Sequence, residues 1–406
     1  MDKIAIINSV LDYGSTGKLA RGLYEYARSI GYEAFVFYGR GEKKDDEHLI
    51  RIDSTIEFYA HKALTLLSGY QGAFSHAATR KLLSHLRREG IRKVILLNLH
   101  GYYLNEKLVF RYLKENDIRT VYVTPDEYAA MGKCCYSEEC EQYKTACRSC
   151  PHVRDYPKSL FFDRSAEIFR MKQEAYKDYD KLLFLGPAYS LEKFRASALL
   201  HDKNLLEINE GVDLKQYRYE RDESLYEKYG IPRDKILILS IAKYSEPRKG
   251  VKDYYFPAAR RLVNSDYHFI HIGFDADPAD EDIPPNMTVI GYLDDQDELR
   301  RLCSLADLYV LASTSDTMPL SCMIALACQT PICCFYTSGM RFLAPRESPA
   351  VHYCDEISVS ALAETIASVS RKDQQTMAAC RALAVEKYSD ADYQRRVLAC
   401  FDPIIK

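Results

Sequence analysis

Two short stretches hold most of the chemistry that can be read from this chain. The first is Lys243-Tyr-Ser-Glu-Pro-Arg248-Lys249-Gly250, which directly follows the apolar run Lys235 to Ala242. Such a run reads as a buried parallel strand, so the basic loop leaves a strand's carboxyl end, where open α/β sheets bind ligands. Lys243, Arg248 and Lys249 can make charge-assisted bonds to phosphate oxygens, and a helix starting near Val251 adds its positive end. The loop therefore suits a diphosphate; the plainer reading is a solvated basic turn. The second stretch contains Cys134, Cys140, Cys147 and Cys150, separated by five, six and two residues. One C-x-x-C knuckle with two nearby thiols suits a tetrahedral Zn²⁺ that is closed to water and so structural. Cys135 is an alternative first ligand. The outer spacings also fit reduced or disulfide-paired cysteines, and that alternative stays open.

A third candidate is Gly14-Ser-Thr-Gly17-Lys18, placed where a first strand passes into a helix. Glycines there let the backbone approach an anion at the helix N-terminus, or simply pack the helix on the sheet. It is not a Walker A loop: Asp12 stands where that motif needs its first Gly, and Leu19 where it needs Ser or Thr.

The elements that must position these residues alternate. Strands are expected at Lys3–Ser9, Glu33–Tyr38, Lys93–Leu99, Thr120–Val123, Leu182–Leu185 and Leu205–Ile208, with helices at Leu19–Ile30 and Glu106–Glu115. A second series follows: strands at Lys235–Ala242, His268–Gly273, Thr288–Ile290, Leu308–Leu311 and Pro331–Phe335. Its helices are Lys252–Asn264, Asp297–Ala306, Leu320–Cys328, Ser360–Ser370, Gln374–Lys387 and Ala391–Ala399. Two doubly wound α/β domains account for this. The first spans 1–186 with a cysteine-rich insert at 133–157, the second 187–387, and 388–406 forms a terminal helix.

With 406 residues, two domains is also the length prior. A formal net charge of -3 gives no global argument for nucleic acid. The N-terminus shows no signal-peptide pattern, and no uncharged apolar run is long enough to span a membrane. A cytoplasmic protein is expected, in which the 13 cysteines are mostly thiols or metal ligands.

In family order, five segments resemble retaining glycosyltransferases of family 4, closest to a bacterial subgroup that builds surface polysaccharides. They are Asn8–Gly41, Asn209–Asp213, Ala242–Gly250, Asp316–Pro331 and Asp390–Phe401. The stretches Val121–Tyr136 and Cys140–Pro151 resemble that subgroup's cysteine insert, with Tyr122, Tyr128, Tyr143 and Tyr244 standing where Trp is frequent. The resemblance implies a GT-B fold, two Rossmann-like domains facing a cleft, with the last helix crossing back to the first domain. It implies sugar transfer with retention from a nucleotide-diphosphate sugar to a glycan or lipid-linked acceptor, without a catalytic metal. Gly14, Gly17, His100 and Asp126 would line the acceptor side, and Lys243, Arg248, Lys249, Asp316 and Ser321 the donor side.

Three positions depart from that pattern. Pro125 replaces the family His before Asp126, and has neither a side-chain hydrogen-bonding group nor an N–H. Asp316 holds the first of two acid positions, but Ile324 holds the second, where a carboxylate would bind ribose. Gln329 stands in place of a glycine expected beside the nucleotide. An active enzyme with altered donor recognition and a noncatalytic paralogue acting as a binding module are both compatible with these changes. His100, after its strand, is placed to compensate for the missing His, or is structural. The basic stretch Arg80–Arg88, with Leu82, Leu83 and Leu86, offers peripheral contact with an anionic membrane, or is an ordinary solvated helix.

Overall fold

Runs of Ile, Val, Leu and Phe bury both faces of their strands, which forces helices onto both sides of each sheet. The structure is a computed structural model describing residues 2–124, 126–279 and 281–402. Its first part runs Lys3–Val10 (β1), Gly14–Ser29 (α1), Glu33–Arg40 (β2), Leu49–Arg51 (β3), Thr55–Ser68 (α2), His76–Arg88 (α3), Lys93–Leu96 (β4), Glu106–Glu115 (α4) and Arg119–Val123 (β5). Ser165–Tyr176 (α5), Leu182–Gly186 (β6), Ala188–Ala196 (α6) and Asn204–Glu207 (β7) complete it. These strands form one parallel sheet in the order β3-β2-β1-β4-β5-β6-β7.

The second part runs Ser224–Tyr229 (α7), Ile236–Ile241 (β8), Phe256–Arg261 (α8), Tyr267–Ile272 (β9), Met287–Ile290 (β10), Gln296–Leu305 (α9), Leu308–Leu311 (β11) and Leu320–Ala327 (α10). Ile332–Phe335 (β12), Val351–Cys354 (β13), Val359–Ala367 (α11) and Gln374–Lys387 (α12) follow, and Asp390–Ala399 (α13) ends the described helices. Its sheet, again parallel, has the order β10-β9-β8-β11-β12-β13. Strand order reverses between β1 and β4 in the first sheet and between β8 and β11 in the second. In this architecture the carboxyl ends flanking such a reversal are the ligand crevice.

The chain divides into two compact units, residues 1–208 with 394–406, and residues 209–393. Residues 187–208, expected in the second domain, belong to the first. The reason is pairing: β7 hydrogen-bonds alongside β6, with Leu183 opposite Asn204 and Leu185 opposite Leu206. The terminal helix α13 starts in the second unit, and from Gln394 the chain belongs to the first.

Several boundaries move for local reasons. Helix α1 starts at Gly14, not Leu19, so the glycine segment is its first turn rather than a loop. Strand β4 stops at Leu96, which leaves Leu97–Asn105 as a connection carrying His100. The helix expected from Lys252 opens as a π-helical turn over Val251–Tyr255 before α8. Pro257 lies in the first turn of α8, where its missing N–H is least costly. In α3, Leu82 and Leu86 are wholly buried in the first core and Leu83 packs against it. The Arg80–Arg88 stretch therefore spends its apolar face on the fold and has none to offer a membrane. Among the described residues, no helix is long and apolar enough to cross one.

Candidate functional site

The basic loop leaves β8 at the switch point of the second sheet. Its start is pinned to the β9 exit by Tyr244 N donating to Gly273 O at 3.1 Å. Gly250 has φ 63° and ends the turn Pro247–Lys249. A Cβ on Gly250 would lie 2.1 Å from Ala312 O, so the loops after β8 and β11 meet backbone to backbone, and only Gly allows it. This contact delivers the charges: Lys249 Nζ lies 2.6 Å from Asp316 Oδ2, and Arg248 Nη1 lies 3.6 Å from the same oxygen. Arg248 also donates to Ser315 O at 2.6 Å and pairs with Glu246 at 2.9 Å. The other Asp316 oxygen accepts from Thr317 N at 3.0 Å. Two cations thus converge on one mostly buried carboxylate, an arrangement suited to anion exchange: an incoming phosphate can take the donors that Asp316 now holds.

Ser321 lies in the first turn of α10 and accepts from Tyr309 OH at 2.7 Å, while Tyr309 OH also reaches Ile241 O at the end of β8. Lys243 is more peripheral. Its side chain is largely exposed and pairs with Asp275 at 3.5 Å. Two bonds from Ser245, helped by Lys243, hold the Asp275 carboxyl below the usual carboxylate range.

Two family departures look different in place. Ile324 is buried on α10 among Cys322, Met323 and Leu326, so it is a packing residue with no polar atom to present. Gln329 follows the C-terminal end of α10 with φ 63°, and its N–H donates to Leu326 O. Gln329 comes just before β12, at the amino edge of the sheet. The glycine expected there answers to the left-handed backbone, and Gln329 lies away from the carboxyl ends of the strands, where a nucleotide was expected.

At the switch point of the first sheet, Asn8 in β1 donates to Val10 O and Thr16 O and accepts from Asn98 N. This ties the exits of β1 and β4 to the start of α1. A Cβ on Gly17 would meet Asp12 N and Val10 Cγ2 at 3.2 Å, so Gly17 serves close helix–strand packing. Gly14, with φ 65°, has nothing near its Cβ position.

His100 and Asp126 are brought together. His100 Nε2 lies 2.7 Å from Asp126 Oδ2, and both residues are buried. Pro125 lies outside the described residues. The other Asp126 oxygen accepts from Tyr128 N at 2.9 Å. Tyr156 OH lies 3.1 Å from His100 Nδ1 and 3.0 Å from His100 O. An ionised carboxylate only accepts, so these partners assign the proton to Nε2, and the single Tyr156 proton goes to Nδ1 or to the carbonyl. The result is an oriented imidazole–carboxylate pair able to hold or receive a proton.

Buried charges brace this pair. Tyr128 OH donates to Glu106, and Lys172 Nζ donates to Tyr128 O at 2.6 Å and Met131 O at 3.0 Å. Burial raises the Glu106 carboxyl and lowers the Lys172 ammonium. Lys133 Nζ donates to His152 O at 3.0 Å and Val153 O at 2.8 Å, fastening the turn that carries Tyr156. Glu106, Lys133, Tyr156 and Lys172 were not singled out from sequence. Their partners lie 19 to 56 residues away, beyond any local spacing signal. At Tyr128 and Tyr244, hydroxyls in place of Trp find carboxylates, Glu106 and Glu281.

Cys134, Cys140, Cys147 and Cys150 line one cavity of about 10 Å³, room for about one small sphere. No disulfide joins them. Burial pushes the thiols of Cys134 and Cys150 up, and that of Cys147 up to about 11. Among the described residues, no three of these sulfurs lie within 4.8 Å of one another. Cys135 does not line the cavity. Its sulfur lies within 4.8 Å of the facing His100 and Asp126 atoms, which rules it out as first ligand of the quartet.

Residues 235–372 match the family described as glycosyl transferases group 1. A segment of 123 residues is 27% identical to the putative colanic acid biosynthesis glycosyl transferase WcaC of Escherichia coli (strain K12), covering 29% of this chain and only 30% of that protein. WaaG, a glycosyltransferase involved in lipopolysaccharide biosynthesis, superposes with a TM-score of 0.66 at 12% identity, covering 98% of this chain and all of WaaG. Anabaena Alr3699/HepE in complex with UDP superposes at 0.63 and 14% identity, covering 98% of each chain. Residues 235–372 are thus similar to the group 1 glycosyl transferases, and the chain as a whole has the GT-B fold.

Proposed function

We propose that this protein transfers a hexose-type unit from a nucleotide-diphosphate sugar to a glycan or lipid-linked acceptor, with retention, in surface polysaccharide synthesis. The observation that carries this reading is the convergence of Lys249 and Arg248 on Asp316 at a sheet switch point. Retaining transfer needs stabilisation of the departing diphosphate, an electrostatic task for fixed donors. Lys249 and Arg248 perform it, with Lys243 and Ser321 at the edges, and Asp316, once released, accepts from sugar hydroxyls. His100 and Asp126 orient the acceptor hydroxyl and take up its proton. The UDP complex of HepE supports a nucleotide donor. One structural Zn²⁺ on Cys134, Cys140, Cys147 and Cys150 belongs to this reading, supported by their shared cavity. Ligation would draw the four sulfurs closer than they now stand.

A second reading, a noncatalytic binding module, is favoured by one observation: Ile324 fills its position with packed hydrocarbon where ribose would need an acceptor. A thermal-shift panel of UDP, GDP, ADP and their sugars separates the two. Saturation at 100 times Kd adds about 2.7 kcal/mol. A rise with one nucleotide, followed by sugar transfer from it, is expected. No rise at millimolar ligand would replace the transferase with the binding module.

A further inference from the structure

Of the five cysteines in the insert, Cys135 alone does not line the shared cavity. It faces the His100 pair instead. Cys135 Sγ, a ring nitrogen of His100 and a carboxylate oxygen of Asp126 all lie within 4.8 Å of one another, and all three residues are buried. Among the described residues, no other three His, Cys, Asp or Glu side chains converge this closely.

The three come from separate places. His100 sits on the connection after β4, Asp126 follows β5, and Cys135 returns to them because Glu127 N donates to Cys135 O at 3.0 Å. Imidazole, carboxylate and thiolate are all ligands of Zn²⁺, at about 2.0–2.3 Å, which sets tetrahedral ligand atoms about 3.3–3.8 Å apart. The His100–Asp126 contact opens from 2.7 Å to that range, and the sulfur closes in.

The outer contacts are already those of a ligated site. With an ion on Nε2, the imidazole proton sits on Nδ1 and is donated to the Tyr156 oxygen at 3.1 Å. Tyr156 in turn donates to His100 O at 3.0 Å, so every proton in this chain has one place. The second Asp126 oxygen accepts from Tyr128 N at 2.9 Å, which fixes the carboxylate. Charge closes as well. Asp126 brings one negative charge, and Cys135 a second once its thiol proton leaves; together they cancel the ion in a buried place where net charge is costly. Lys172 and Glu106, the other buried ionisable groups acting here, have each other as their strongest charged partner.

We propose that His100, Asp126 and Cys135 form a three-ligand Zn²⁺ site with an open fourth position, separate from the four-sulfur quartet and more readily emptied. Binding displaces the thiol proton to solvent, moves the imidazole proton from Nε2 to Nδ1 and transfers no electron. The site does not need turnover. On the transferase reading, the ion takes the Nε2 that would receive the acceptor's proton, so Zn²⁺ shuts the acceptor side. The test is titration of the full chain, dialysed free of loosely held metal, with Co²⁺, whose absorption reports thiolate ligands, and with Zn²⁺ in equilibrium dialysis. The wild type is expected to take up one ion more than Cys135→Ala, with a thiolate-to-cobalt band at that step. His100→Gln, which keeps an amide N–H for Asp126 but no imidazole, should lose the same ion, and this separates it from any ion held by the quartet. Tyr156→Phe should keep the ion with affinity lower by about tenfold to a hundredfold. Equal uptake by the wild type and either Cys135→Ala or His100→Gln, or Co²⁺ bound without a thiolate band, overturns the proposal. Uptake as expected without any nucleotide-induced thermal shift would uphold the site while the transferase reading fails, and sugar transfer by a chain that takes up no such ion would do the reverse.

Discussion

The two units share one topology and fill its switch point with opposite chemistry. In the second, half-buried cations from the loop after β8 meet Asp316 from the loop after β11. In the first, a buried imidazole from the loop after β4 meets Asp126 from the loop after β5, with a tyrosine hydroxyl behind it. Fixed positive charge suits an anion that arrives already ionised. A hydrogen-bonded His–Asp pair suits a neutral hydroxyl that must lose a proton. The parallel sheet supplies only the place, and the loop residues decide what can be bound there.

The largest expected effect sharpens the contrast by asking which half depends on the cysteine insert. If Zn²⁺ sits in the quartet, metal analysis finds one per chain, and chelation or Cys147→Ser removes ordering on the order of 10 kcal/mol from the insert. Lys133 fastens the turn carrying Tyr156 within this insert, so the first unit should lose protection from hydrogen exchange while the second keeps its own. A metal-free protein with the same exchange pattern refutes the site. The next effect tests the division of labour. Lys249→Ala should weaken nucleotide diphosphate binding by about 1.5–3 kcal/mol, roughly tenfold to a hundredfold. His100→Ala should leave that affinity alone and lower turnover. Calorimetry showing equal losses in both variants would break the comparison.

The smallest effect concerns a carboxyl in the first unit alone. Asp53 is buried with both oxygens lacking partners, and burial, aided by Glu57, raises its pKa from 3.8 to about 7. The folded state therefore holds this proton more tightly than the unfolded one. The stability it contributes is full below 3.8 and is lost as pH rises through about 7. Asp53→Asn should stabilise the protein above that range and not below it. Urea unfolding at both ends of the range checks this, and an equal difference at both would remove burial as the cause.

Most strands were legible because their apolar runs are long and bounded by turns, as in Lys93–Leu99 and Lys235–Ala242. The basic loop was legible because it follows such a strand, and its acid, Asp316, only through the family resemblance. Helix α2 was not, since its two fully buried residues are His61 and Thr65 while Ile56, Tyr59 and Leu67 are exposed, which blurs the pattern a soluble helix shows. Strand β13 is four residues with no alternation. The role of His100 depended on Asp126 and Tyr156, which lie 26 and 56 residues away and meet it only in three dimensions.

The division of the chain has a consequence for synthesis. Residues 209–393 interrupt the first unit, which is finished by residues from Gln394 onward. Val397 and Phe401 are buried there, and Arg119 Nη1 donates to Phe401 O at 2.6 Å. On the ribosome, the half that emerges first is therefore completed last. The inserted half can close on itself while the outer one still waits for its final helix. A nascent chain arrested before Gln394 would expose the core surface that this helix covers.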